Sequence, residues 1–170
     1  MLLKFGEFYP EVGQPIFVAP GSYIIGQVML GDYVSVWFNA VIRADSAPIT
    51  IGAGTNIQDN VSIHADPGFP CSIGQNVTVG HNAVIHGAQI ASEVLVGMGA
   101  IVMNGAKIHP RVLIAAGSLI PQGMEVPEGM LVQGRPARVV RALTEQEIDG
   151  IVKSAQHYQQ LWIKQGWHFR

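Results

Sequence analysis

IASEVLVGMGAIVMNGAKIHPRVLIAAGSLIPQGMEVPEGMLV, residues 90–132, places an aliphatic side chain at every sixth position: Ile90, Val96, Val102, Ile108, Ile114, Ile120, Val126 and Val132. A step of six advances an α-helix by about 600°, or about 240° net, which scatters these side chains over three faces and leaves no apolar stripe. Helix is excluded here. In extended chain, six is a multiple of the side-chain period of two, so every member of the run points to one interior if the chain turns a corner between members. Working outward toward the N-terminus, the same period recurs in Ile73, Val79, Ile85, in Ile51, Ile57, Ile63, and in Val12, Val18, Ile24, Leu30, Val36, Ile42. This is the hexapeptide signature of a parallel β-helix, a narrow prism with three short sides per coil and roughly 18 residues per turn.

Glycines punctuate the period. Relative to the periodic aliphatic (i), they stand at i+1 in Gly31, Gly52, Gly74, Gly80 and Gly97, and at i+3 in Gly99, Gly105, Gly117, Gly123 and Gly129. Both sets read as corner residues supplying positive φ. Position i+4 is often small or β-branched, as at Val28, Val34, Ala40, Val77 and Ala100.

The chain has 170 residues, 48% hydrophobic and 13% charged, with a formal net charge of −2. Burying each periodic side chain is worth roughly 1.5–3 kcal/mol before chain entropy is subtracted, so a core forms without staples. One cysteine, Cys71, excludes an intramolecular disulfide and suits a reducing compartment. No basic start with a long apolar run, and no apolar stretch of membrane-spanning length, is present. The slight acidity and lack of a basic cluster argue against nucleic acid. The expected location is cytoplasmic, with no membrane partner.

Gly134, Arg135 and Pro136 break the hexad, dividing the chain into a solenoid over residues 1–136 and a helical appendage over 137–170, one structural unit in all. Thr144 with Glu147 forms a capping box, after which Ile148, Ile151, Val152, Ala155, Tyr158 and Trp162 fall on one helical face. That stripe must be covered, by the solenoid's own flank or by a neighbouring subunit.

The hexad slips in three places: nine residues from Ile42 to Ile51, ten from Ile63 to Ile73, and five from Ile85 to Ile90. If each interval is still one side of the prism, Val12 begins face one, and Ile42, Ile63 and Ile85 stack on face three. The residues after them, Arg43, His64 and His86, then point outward in a column with coils about 4.8 Å apart. On face two, Ile57 and Val79 are followed by Gln58, Asp59 and His81. His81 lies round a corner from the other two histidines. Where three prisms associate side by side, face three of one meets face two of the next, so the expected site is intersubunit: His64 and His86 from one chain, His81 from its neighbour. His109, His157 and His168 have no such companions.

The set Arg43-x-Asp45, Gln58-Asp59-Asn60, His64 and His81-x4-His86, in a hexapeptide solenoid with a C-terminal helix, closely resembles the gamma-class carbonic anhydrase family over nearly the whole chain. The resemblance implies a left-handed β-helix, a homotrimer, and Zn2+ bound by His64, His81 and His86, with Co2+ or Fe2+ as alternatives. It implies that Arg43, Asp45 and Asp59 form an interfacial ion-pair network, that Gln58 touches the metal-bound solvent, and that Tyr158 lies near the pocket. A divalent cation at three neutral imidazoles makes hydroxide available near neutral pH, and hydroxide adds to carbon dioxide to give bicarbonate. Gln58 orients solvent or supports the interface; both roles remain open. The chain departs from active relatives in lacking their glutamate-bearing acidic loop: Asp66 is the sole acid in residues 65–70, and Ser46 replaces a second glutamate. Turnover without a placed proton shuttle is expected to be slow or buffer-dependent. Two other readings stand beside this one: a hexapeptide acyltransferase or thioesterase acting on acyl-CoA, with His81 or His86 as the acyltransferase's general base, and a non-catalytic metal-binding assembly subunit.

Overall fold

The computed structural model describes residues 1–167, and His168 lies outside them. The hexad forms a parallel β-solenoid of three faces. On face one Val12 pairs with Leu30, which pairs with Ile51, then Ile73, Ile90, Ile108 and Val126. Face two stacks Val18, Val36, Ile57, Val79, Val96, Ile114 and Val132. Face three stacks Ile24, Ile42, Ile63, Ile85, Val102 and Ile120, and begins one coil earlier than the hexad, where Leu2 pairs with Ile24. The periodic aliphatics are all buried except Val12, which is half-buried.

The three slips leave this register intact. The nine-residue step runs inside one strand, Val41–Ile51, whose first half pairs on face three and whose second half pairs on face one. The extra residues after Ile63 form a loop closed by an antiparallel bridge between Asp66 and Phe69. The short step after Ile85 turns at Gly87, with φ of 56°.

The two glycine sets have different causes. At i+3 the corner is left-handed, and Asn39, Asn60, Asn76 and Asn82 occupy it as well as glycine. None of the i+1 glycines has positive φ. They are required by close approach of the next coil: a Cβ on Gly74 would stand 2.5 Å from the Ser92 backbone nitrogen.

Beyond Pro136 the chain first turns back as a strand, Ala137–Ala142, antiparallel to Met130–Gly134. The helix α1 follows over Glu145–Lys164, with the reciprocal Thr144–Glu147 capping box in place. Its apolar stripe is covered by the chain's own face two. Ile151, Ala155 and Trp162 are buried, and Trp162 stacks on Phe17 at 6.1 Å between centroids, beside Trp37. Gln159 Nε2 donates to Gly54 O (3.1 Å) and Asn76 Oδ1 (3.2 Å), fixing the helix against the middle coils. Among the described residues no helix is long and apolar enough to cross a membrane.

Candidate metal centre

Arg43, His64 and His86 lie in register on three successive coils of face three. Each inward isoleucine is buried, so the next residue in the strand is forced outward, and parallel pairing aligns the three side chains. The ring nitrogens His64 Nδ1 and His86 Nε2 face each other at 3.1 Å. Asp45, farther along the strand that carries Arg43, accepts from His64 Nε2 at 2.8 Å and is ion-paired to Arg43. Burial opposes ionisation of Asp45, but the hydrogen bonds from His64 and Arg43 outweigh it and hold the carboxyl below its ordinary value. On the far side of the pair, His86 Nδ1 lies 2.7 Å from Asn104 Oδ1, and Asn104 Nδ2 donates to Asp66 Oδ2 at 2.9 Å.

Face two carries the third histidine. His81 Nδ1 is 2.8 Å from Asp59 Oδ2, and Asp59 Oδ1 accepts from the Phe38 amide at 3.1 Å. The His81 backbone N–H donates to Gln58 Oε1 at 3.2 Å, and Gln58 Nε2 donates to Asn56 Oδ1 at 3.1 Å. Gln58, His81 and Tyr158 line one groove of about 380 Å³ between helix α1 and face two. Burial, with the Asp59 carboxylate adding to it, pushes the Tyr158 phenol above its ordinary value, so its hydroxyl remains a proton donor at neutral pH.

The acceptors settle the histidine tautomers. A carboxylate only accepts, so His64 carries its proton on Nε2 and His81 on Nδ1. Asn104 spends its amide N–H on Asp66, so its oxygen faces His86, whose proton is on Nδ1. In the neutral rings His64 Nδ1, His86 Nε2 and His81 Nε2 are then lone-pair nitrogens. Two such lone pairs at 3.1 Å repel unless a cation lies between them. Ligands about 2.0–2.1 Å from a tetrahedral zinc stand roughly 3.3 Å from each other, so the donor set fits a divalent ion. Each imidazole also has the oxygen partner that metal-ligating histidines ordinarily keep.

Within one chain His81 stays apart from this pair. Among the described residues the cluster whose donor atoms lie within 4.8 Å of one another is His64, Asp66 and His86. Asn104, which the sequence reading did not single out, stands two residues beyond Val102, the inward residue stacked above Ile85. The hexad count carried one coil further places Met103 over His86 and Asn104 over Gly87, so spacing alone does not pair Asn104 with His86.

A parallel β-helix of hexapeptide repeats with paired histidines on its flank defines a hexapeptide-repeat protein with a candidate metal centre. No protein-family model matches the sequence. A Methanocaldococcus jannaschii protein described as a probable carbonic anhydrase is 56% identical over 150 residues, 88% of this chain and 94% of that protein. Gamma carbonic anhydrase 2, mitochondrial, of Arabidopsis thaliana is 42% identical over 155 residues, 88% of this chain but 56% of the longer plant protein. The crystal structure of a hexapeptide transferase family protein from Anaplasma phagocytophilum superposes with a TM-score of 0.92 at 39% identity, covering 95% of each chain. The chain belongs to the gamma-class carbonic anhydrase-like family of left-handed β-helix proteins.

Proposed function

We propose that this chain assembles as a homotrimer in which His64 and His86 of one subunit and His81 of the next hold one divalent ion, and that the site hydrates carbon dioxide to bicarbonate. Zinc suits three imidazole nitrogens at tetrahedral spacing, and cobalt or iron accepts the same donors. A divalent ion so held makes hydroxide available from water near neutral pH, the nucleophile that hydration of carbon dioxide needs. The observation that carries the reading is the pair of lone-pair nitrogens, His64 Nδ1 and His86 Nε2, 3.1 Å apart with their opposite nitrogens tied to oxygen. His81, equally tied through Nδ1, has no hydrogen bond at Nε2 among the described residues, as a ligand shared with a neighbour requires.

The remaining residues take roles from their bonding. Gln58 keeps a second amide N–H and a second oxygen lone pair after its two contacts, so it can orient the reacting oxygens. Tyr158, neutral and in the same groove, donates to a bicarbonate oxygen. Arg43 is nearly half-exposed at the edge of face three, where it reaches a neighbouring subunit, and Asp45 and Asp59 orient His64 and His81 while completing an interfacial ion-pair network. Asp66 is the sole acid of its loop and is engaged by Asn104, so proton export depends on buffer and turnover is slow. A single buried thiol, Cys71, suits the cytoplasm.

A transferase reading is favoured by the name of the Anaplasma neighbour, and it requires acyl-CoA turnover independent of metal. Elemental analysis of anaerobically purified protein, followed by stopped-flow carbon dioxide hydration on the same sample, separates the possibilities. Metal near one ion per subunit with hydration supports the proposal. Metal without turnover identifies a non-catalytic assembly subunit, and metal-free turnover of acetyl-CoA overturns the proposal in favour of acyl transfer or thioester hydrolysis.

A further inference from the structure

We infer that Asn104 is the residue that positions His86, fixing its proton on Nδ1 so that Nε2 stays a bare donor. The inference rests on the metal-site reading above for its consequence, though not for its geometry. Asn104 Oδ1 lies 2.7 Å from His86 Nδ1. An asparagine amide flips easily between its oxygen and nitrogen ends, so by itself it does not dictate a tautomer. Here Asp66 removes the ambiguity: its Oδ2 accepts from Asn104 Nδ2 at 2.9 Å, and the oxygen end must face the histidine.

Two of the three slips in the hexad build this relay. The longer step after Ile63 creates the loop that carries Asp66, closed by Phe69 N–H donating to Asp66 O at 2.8 Å. Phe69 packs close to Gly87, which faces Asn104 Oδ1, and to Gly105, which follows Asn104 in sequence. The shortened step after Ile85 puts Gly87 at the corner beside His86, and a Cβ there would overlap Asn104 Oδ1 and stand 2.8 Å from the Phe69 Cβ. Only a glycine at 87 leaves room for the amide oxygen to reach the imidazole. His64 and His81 are oriented by carboxylates, whereas His86 is oriented by an amide that is itself oriented by a carboxylate.

The test compares Asn104→Ala with Asn104→Asp, the latter made together with Asp66→Asn so that amide and carboxylate exchange places and no two carboxylates meet across the 2.9 Å contact. Nitrogen-15 spectra of metal-free protein at about pH 8, above the ordinary histidine pKa of about 6.5, report the His86 tautomer. Wild type and N104D/D66N should hold the proton on Nδ1, and N104A should show mixed tautomers. Cobalt affinity, read by competition, should fall about 10–100-fold in N104A and stay near wild type in N104D/D66N. Should N104A not fold, Asp66→Ala frees the amide to flip and should mix the His86 tautomers in the same way. A pure Nδ1–H tautomer in N104A, or in D66A where N104A does not fold, overturns the inference. So does equal loss of affinity in N104A and N104D/D66N. If wild type binds no cobalt while the tautomer still responds to N104A, the metal reading fails and the positioning of His86 stands.

Discussion

His64 and His86 turn bare ring nitrogens toward one another at 3.1 Å across adjacent coils, because Asp45 holds the opposite nitrogen of the first and Asn104 that of the second. Parallel stacking brings the two rings into register, and the oxygen partners decide which atoms face inward. Removing one such partner tests whether the arrangement serves a cation. Asp45→Ala should weaken cobalt or zinc binding about 10–100-fold, measured by equilibrium dialysis against a metal buffer. Unchanged affinity would mean that His64 is oriented by packing alone.

The helix α1 is held to the solenoid through an aromatic cluster in which Trp162 is fully buried against Phe17. Trp162→Ala should cost about 3–5 kcal/mol in chemical denaturation, the range for truncating a buried large aromatic. Because Tyr158 rides on the same helix, the variant should also lose the groove that Tyr158 shares with Gln58 and His81. A loss below about 1 kcal/mol would show that the helix is anchored elsewhere.

Glycines at i+1 and i+3 should respond differently to alanine. Gly74→Ala places a Cβ 2.5 Å from backbone of the next coil, an overlap that side-chain motion does not relieve. Gly117→Ala meets open space and bears only the strain of φ at +69°. Thermal denaturation should show the first as the more damaging, by overpacking of about 1–3 kcal/mol or more, against roughly 1 kcal/mol for the second. Gly117→Asn should restore much of that smaller loss, as asparagine occupies the same corner at Asn39 and Asn82. Equal effects at both glycines would refute the two-cause account.

Burial pushes the Cys71 thiol up to about 12, with a hydrogen bond involving the Ala88 backbone offsetting part of the rise. The folded chain therefore keeps a proton that the unfolded chain loses above its ordinary value near 9. The stability from this difference is full below about pH 9 and disappears as pH rises toward 12. Iodoacetamide at about pH 8 should label Cys71 only at the rate of unfolding, the thiol being both buried and protonated. Rapid labelling of the native protein would contradict this placement.

The three-sided coil was legible because extended chain has a fixed side-chain period and the aliphatics keep its phase. The column Arg43, His64, His86 survived three slips for a simple reason: the irregularities fall at corners or within the continuous strand Val41–Ile51, leaving face-three pairing unshifted. Other features had no periodic signal. Ala137–Ala142 is a strand exposed along nearly its whole length, so it shows no alternation of apolar and polar residues. Phe17 and Trp37 point outward from face two, and the sequence of the solenoid does not say that the terminal helix covers them. Asn104 reaches His86 across a left-handed corner at Gly87, a direction that depends on backbone dihedrals rather than on spacing.

The sharing of one ion between subunits is tested most directly by mixing two inactive variants. His64→Ala and His81→Ala homotrimers should each hold almost no metal, since each lacks one ligand at every site. In a trimer containing both, the interface where a H81A subunit offers His64 and His86 to the His81 of a H64A subunit is intact, so about one site in three should return. Metal analysis of co-refolded, size-separated trimers should therefore show that recovery. No recovery, or metal retained at wild-type level by the H81A homotrimer, would contradict a site built from two chains.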